Sequence, residues 1–137
     1  MLGQLATPDA VVVADFEAGL GTVMRLDGRP VDVVVVVEPT AKSLEVGRRA
    51  ADLVRECRLG RLVVAANRIR DEEDVTRVAA AFPGLELVLV PDDQAIIDAE
   101  RRGAAPLDAA ADSPAVRALV SLAERLTAPG GPSLEPS

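Results

Sequence analysis

Three observations predict an α/β fold with a mostly parallel sheet of about four strands and flanking helices. Short apolar, β-branched runs recur at residues 11–14, 31–37, 62–66 and 85–90. Each is continuous rather than alternating, as in strands buried on both faces. The segments after the second, third and fourth runs carry apolar residues at helical spacing, and strand–helix alternation at this interval implies right-handed βαβ units.

The elements follow in order. Val11-Val12-Val13-Ala14 ends at Asp15, and a loop with Gly19, Gly21 and Gly28 leads to Pro30. Residues 31–37 are the strongest strand, closed by Glu38-Pro39. Thr40 is a suitable N-cap for a helix with Leu44, Gly47, Ala51 and Val54 on one face, and Gly60 suits its C′ position. The strand 62–66 ends at Asn67. Asp71 caps a helix through Val75, Val78, Ala79 and Phe82, stopped by Pro83-Gly84. The strand 85–90 ends at Pro91-Asp92-Asp93, and a short helix from Gln94 stops at Gly103. Asp112-Ser113-Pro114, with proline at N1, opens a last helix through Val116, Leu119, Val120, Ala123 and Leu126. Residues 1–127 form one domain, and 128–137, rich in Pro, Gly and Ser, form a disordered tail.

Composition narrows the function. A net charge of -7 opposes binding to a phosphate backbone, so nucleic acid is not an expected partner. Phe16 and Phe82 are the only aromatic residues, which removes the usual platforms for single-stranded nucleic acid. There is no histidine, and Cys57 is the only cysteine. That excludes an internal disulfide, a Cys/His zinc site and a histidine-activated thiol. Neither a signal peptide nor a span of about 20 apolar residues is visible, so the cytoplasm is the expected compartment.

In parallel sheets ligands sit at the carboxyl ends of the strands, which directs attention to Asp15, Glu38-Pro39, Asn67 and Pro91-Asp92-Asp93. A carboxylate at a strand tip followed by a glycine turn, as in Asp15-Phe16-Glu17-Ala18-Gly19, can hold Mg²⁺ through water. An asparagine amide has the donor and acceptor needed to read an adenine edge. Each piece alone also reads as a turn or cap.

In this order, Asp15-Phe16-Glu17-Ala18-Gly19, Val35-Val36-Val37-Glu38-Pro39-Thr40 with Ser43-Leu44-Glu45, Asn67-Arg68 and Pro91-Asp92-Asp93 through Pro106-Leu107 resemble the C-terminal half of the MinD/ParA-type deviant-Walker ATPases. The CooC-type branch, associated with carbon monoxide dehydrogenase maturation, is the most similar. The resemblance implies a partial P-loop NTPase (SIMIBI-like) fold that binds ATP and Mg²⁺. Asp15 would order the Mg²⁺ shell through water, and Gly19 would sense the γ-phosphate. Asn67 would recognise adenine, while Pro91 and Asp92 would line the other side of the base. It also implies a homodimer, or a P-loop-bearing partner chain, and slow hydrolysis in the complete assembly.

The sequence departs from that family in two respects. It holds no glycine-rich turn ending in Gly-Lys-Ser/Thr, since the single lysine, Lys42, follows Pro39-Thr40-Ala41. The Cys-x-Cys pair of the CooC branch is also absent. A non-catalytic module that dimerises with a full-length ATPase is therefore the alternative. The apolar strands 11–14 and 31–37 would lack the P-loop strand between them, which predicts self-association of the chain alone.

Overall fold

The computed structural model describes residues 11, 13–15 and 31–127. Its sheet has three parallel strands in the order β1 (Val33–Val37), β2 (Leu62–Ile69), β3 (Glu86–Pro91). Helix α1 (Ala41–Glu56) connects β1 to β2, and α2 (Glu72–Ala81) connects β2 to β3. After β3 come α3 (Gln94–Arg101), the single turn α4 (Pro106–Ala109) and α5 (Pro114–Thr127). No helix among the described residues is long and apolar enough to cross a membrane.

The middle strand explains the layering. Val63, Val64, Ala65 and Ala66 are at most 4% exposed, because β2 is paired on both edges and covered on both faces. Neighbouring strands in sequence order require both crossover helices on one face. That face is built by Val35, Val37, Val64, Ala66 and Ile69 against Leu44 and Ala51 of α1 and Val78 and Phe82 of α2. On the opposite face α5 packs Ala115 and Leu122 over Val63, Ala65, Val88 and Val90. Burying a valine side chain contributes about 1.5–2 kcal/mol, so these aliphatic contacts, rather than aromatic stacking, hold the layers.

Local chemistry sets the ends of the elements. The Thr40 hydroxyl accepts from Ser43 N (3.3 Å), and Ser43 Oγ accepts from Glu38 N (2.9 Å). This is a variant of the reciprocal capping box. The buried face of α1 is Leu44, Gly47, Ala51 and Val54, as the periodicity predicts. Its end differs from expectation. Arg58, not Gly60, takes the left-handed conformation (φ 49°), with Arg58 N bonded to Arg55 O and Leu59 N to Val54 O. That pattern is a Schellman motif. Gly60 serves close packing instead, since a Cβ there would overlap the Val31 carbonyl oxygen.

Two further expectations are corrected. The fourth strand, residues 11–14, does not form among the described residues: Val11 and Val13 are 70% and 90% exposed and in no strand. A strand needs a neighbour for its backbone hydrogen bonds, and β1 pairs only with β2 here. Val36, on the α5 side of β1, is consequently 66% exposed. The buried face of α5 is Ala115, Val116 and Leu122, with Ala118 and Leu126 partly buried. Leu119 and Val120, expected inside, are exposed, as is Ala123. The face of α5 toward the sheet thus combines the small Ala115 and Ala118 with Leu122 and Leu126. On α2 the exposed Ala79 likewise gives way to the buried Asp74. The loop from Phe16 to Pro30, with Gly19, and the expected tail at 128–137 lie outside the described residues.

At the amino ends of the strands, Arg61 donates to both oxygens of Glu86 (3.0 and 2.9 Å) and to the Arg125 carbonyl (2.9 Å). One guanidinium thus ties the end of α5 to β2 and β3.

Gly47 provides a test of the packing. A Cβ at this position would overlap Val37 Cγ1 and lie 3.2 Å from Phe82 Cζ, and both neighbours are at most 2% exposed. Gly→Ala inside a helix normally gains about 1 kcal/mol, whereas overpacking costs about 1–3 kcal/mol. Gly47→Ala is therefore expected to destabilise by up to about 2 kcal/mol, read as a lower thermal midpoint; a raised midpoint would contradict close α1–β1 contact.

Candidate functional site

The carboxyl ends of the three strands meet in an open crevice of about 240 Å³, lined by Glu38, Pro39, Thr40, Arg68, Arg70 and Asp92. This is the rim at which the topology predicts a ligand.

A bulge in β2 builds it. Ala66 pairs with Leu89 and Ile69 with Pro91, so Asn67 and Arg68 together face the single residue Val90. Alternation alone would put Ala66 and Ile69 on opposite faces. The extra residue returns both to the same core. Arg68 absorbs the bend with φ 61°, the left-handed conformation used at one type of bulge. The strand thus runs three residues beyond the expected end at Ala66, and Asn67 sits within the bulge rather than at a tip.

Arg68 spans the rim. Its Nη1 is 3.5 Å from Glu38 Oε1, and its Nε is 3.7 Å from Asp92 Oδ1. The ends of the first and third strands are thereby bridged over the second. All three side chains are substantially exposed, so each pair contributes little stability. Arg70 is anchored more firmly. Asp74, only 3% exposed, accepts from Arg70 N (3.0 Å) and from Arg70 Nε (3.4 Å). The Arg70 backbone N–H is the chief reason the Asp74 carboxyl lies below its ordinary value; the guanidinium adds to the effect. Arg77 donates to the Pro39 carbonyl at 3.2 Å, fixing α2 to the same corner.

Asp93, next to Asp92, is structural. Its Oδ1 accepts from Ala95 N and its Oδ2 from Ala115 N, both at 3.0 Å. One carboxylate caps α3 and also holds the start of α5, where Val116 N also reaches Ser113 Oγ at 3.4 Å. These backbone donors, Ala115 first and then Ala95, depress its pKa.

The residues singled out from sequence divide as follows. Asn67 is half-buried in the bulge, and its amide takes no part in the hydrogen bonds among the described residues. Pro91, half-buried, is the last residue of β3; Asp92 follows it, with its N–H bonded to the Ile69 carbonyl at 2.9 Å. Asn67 and Pro91 are thus chain neighbours of the lining residues Arg68 and Asp92 without themselves lining the crevice. Asp15 is exposed and in no regular element, and Gly19 lies outside the described residues. Among the described residues no three acidic or cysteine side chains gather as a metal site. Sequence reasoning missed Arg70 with Asp74 and the double cap by Asp93. The four-residue spacing of Arg70 and Asp74 beside the N-cap Asp71 was the available signal for the first.

Comparison with known proteins gives limited placement. No family model matches the chain. It is 34% identical over 99 residues to an uncharacterized ATP-binding protein of Methanocaldococcus jannaschii. The match covers 69% of this chain and 38% of that relative. The chain therefore spans well under half the length of the curated relative it matches.

A pH prediction follows from Asp93 and Asp74. Both folded pKa values lie below the ordinary 3.8, so the stability they contribute is present above about 3.8 and lost as pH falls through the depressed values. Asp93→Asn should lower stability at neutral pH and flatten its decline below pH 4. Chemical denaturation across pH 2–7 measures this; an unchanged acid limb would contradict the double cap.

Proposed function

We propose that this chain forms the base-binding side of an ATP site of the MinD/ParA type, nearest the CooC branch. The carrying observation is that Glu38-Pro39-Thr40, Arg68 and Asp92 line one rim of a parallel sheet, with Asn67 and Pro91 adjoining them in the chain. The likeness to a protein described as ATP-binding supports the same reading.

The residues present fit a base better than a whole nucleotide. The crevice, at about 240 Å³, is smaller than the roughly 300–1,000 Å³ of pockets that enclose a drug-sized ligand. Asn67 has an amide donor and acceptor for an adenine edge. Pro91 and Asp92 would bound the other side of the ring. Asp15 would hold Mg²⁺ through water and Gly19 would meet the γ-phosphate, in an assembly with a P-loop. That loop would come from the remainder of a longer polypeptide, which would itself form the homodimer, or from a P-loop-bearing partner chain. The nucleotide and its metal would there supply the charge change that drives a conformational switch.

The exposed Val36 on the outer strand β1 favours a second reading, a module that docks onto a full-length ATPase without binding nucleotide itself. Shielding of Val36 by such an ATPase, with no response to adenosine, would distinguish it.

The direct test is base preference. Asn67→Ala should reduce the preference for adenosine over guanosine by roughly 5- to 150-fold, since losing one base-reading contact costs on the order of 1–3 kcal/mol. Titration of both nucleosides followed by NMR reads the ratio. A ratio equal to that of the unaltered chain would refute adenine recognition by Asn67.

A further inference from the structure

We propose that Arg68 is the planar surface on which the bound base stacks, and that Glu38 and Asp92 hold it ready in the open crevice. The inference rests on the base-binding reading above and adds a residue and a contact to it.

A base confined in a crevice needs a flat partner for its π face, and proteins normally use an aromatic ring or an arginine. The chain has only two aromatic residues. Phe82 is 2% exposed beneath α1, and Phe16 lies outside the described residues. Two arginines line the crevice. Arg70 is anchored through its Nε on the buried Asp74. Arg68 is different: its side chain is 61% exposed, it adjoins Asn67, and among the described residues it is held by ion pairs at 3.5 and 3.7 Å. Its guanidinium face is available at little cost, because exposed pairs of that length are weak.

The left-handed backbone does not carry this argument alone, since Arg58 adopts it merely to end a helix. At Arg68 the same conformation coincides with a bulge beside Asn67 and with carboxylates from two other strand ends. Those carboxylates also indicate the ligand class. With Glu38 and Asp92 both beside it, the guanidinium has no surplus positive charge for a phosphate. A neutral, electron-rich ring can still take its face through a cation–π contact.

The experiment titrates the chain with adenosine and with AMP, comparing Arg68→Gly, Arg68→Lys, Glu38→Gln and Phe16→Ala. Glycine suits φ 61°, so that variant should fold; lysine keeps the charge and loses the plane. Roughly tenfold weaker binding of both ligands is expected for Arg68→Gly and for Arg68→Lys. Glu38→Gln should bind about twofold more weakly because Arg68 loses a positioning contact, Phe16→Ala should be unchanged, and adenosine should shift the Arg68 side-chain protons upfield by ring current. Unaltered adenosine affinity in Arg68→Gly, full rescue by lysine, a loss confined to AMP, or a loss in Phe16→Ala instead would each overturn the stacking role while leaving base binding intact. If adenosine at saturation perturbs no rim residue of the unaltered chain, the base-binding reading fails, and the stacking role with it.

Discussion

The fold depends on the burial of Val63, Val64, Ala65 and Ala66 in its middle strand. β2 is paired with β1 and β3 and sandwiched between α1 and α2 on one face and α5 on the other. Its core residues are small and β-branched or alanine, so the helices can approach closely without aromatic spacers. Gly47 on α1 and Ala115 on α5 are the places where that approach is closest to a limit, one against Val37 and one against the sheet.

The same constraint creates the candidate site. Keeping Ile69 in the core beyond Ala66 requires an extra residue in β2, and that residue throws Asn67 and Arg68 onto the rim. Three strand ends then meet with alternating charge: Glu38, Arg68, Asp92. Behind this exposed row stand firmer attachments, in which Asp74 holds Arg70 and Asp93 caps two helices at once. The rim is thus soft where a ligand would enter and rigid where the helices leave the sheet.

Much of this was legible in the sequence. Continuous valine runs identified β1 and β2, and Thr40, Asp71 and the Ser113-Pro114 pair marked helix starts that the structure retains. The face of α1 followed from its spacing alone. The rest depended on tertiary choices that local patterns do not encode. The rotation of α5 hides Ala115 and Leu122 and exposes Leu119, a choice made by the sheet it packs on. The bulge at Asn67 and Arg68 follows from where Ile69 must point, and the left-handed Arg58 took the role that composition would give to Gly60. Asp93 looked like an ordinary turn residue until its distant partner, the Ala115 backbone N–H, was in view. Asp15 and Gly19 carry meaning only through the resemblance, and the described residues add no contact to it.

The central claim is that a purine is received at the carboxyl end of this sheet, between the ends of all three strands. Backbone amide NMR of the chain titrated with adenosine tests it most directly. The account predicts shifts clustered at Glu38, Thr40, Asn67, Arg68 and Asp92, with the Arg61–Glu86 end of the sheet unmoved. Shifts centred on the Arg61–Glu86 end, or scattered over α5, would contradict it.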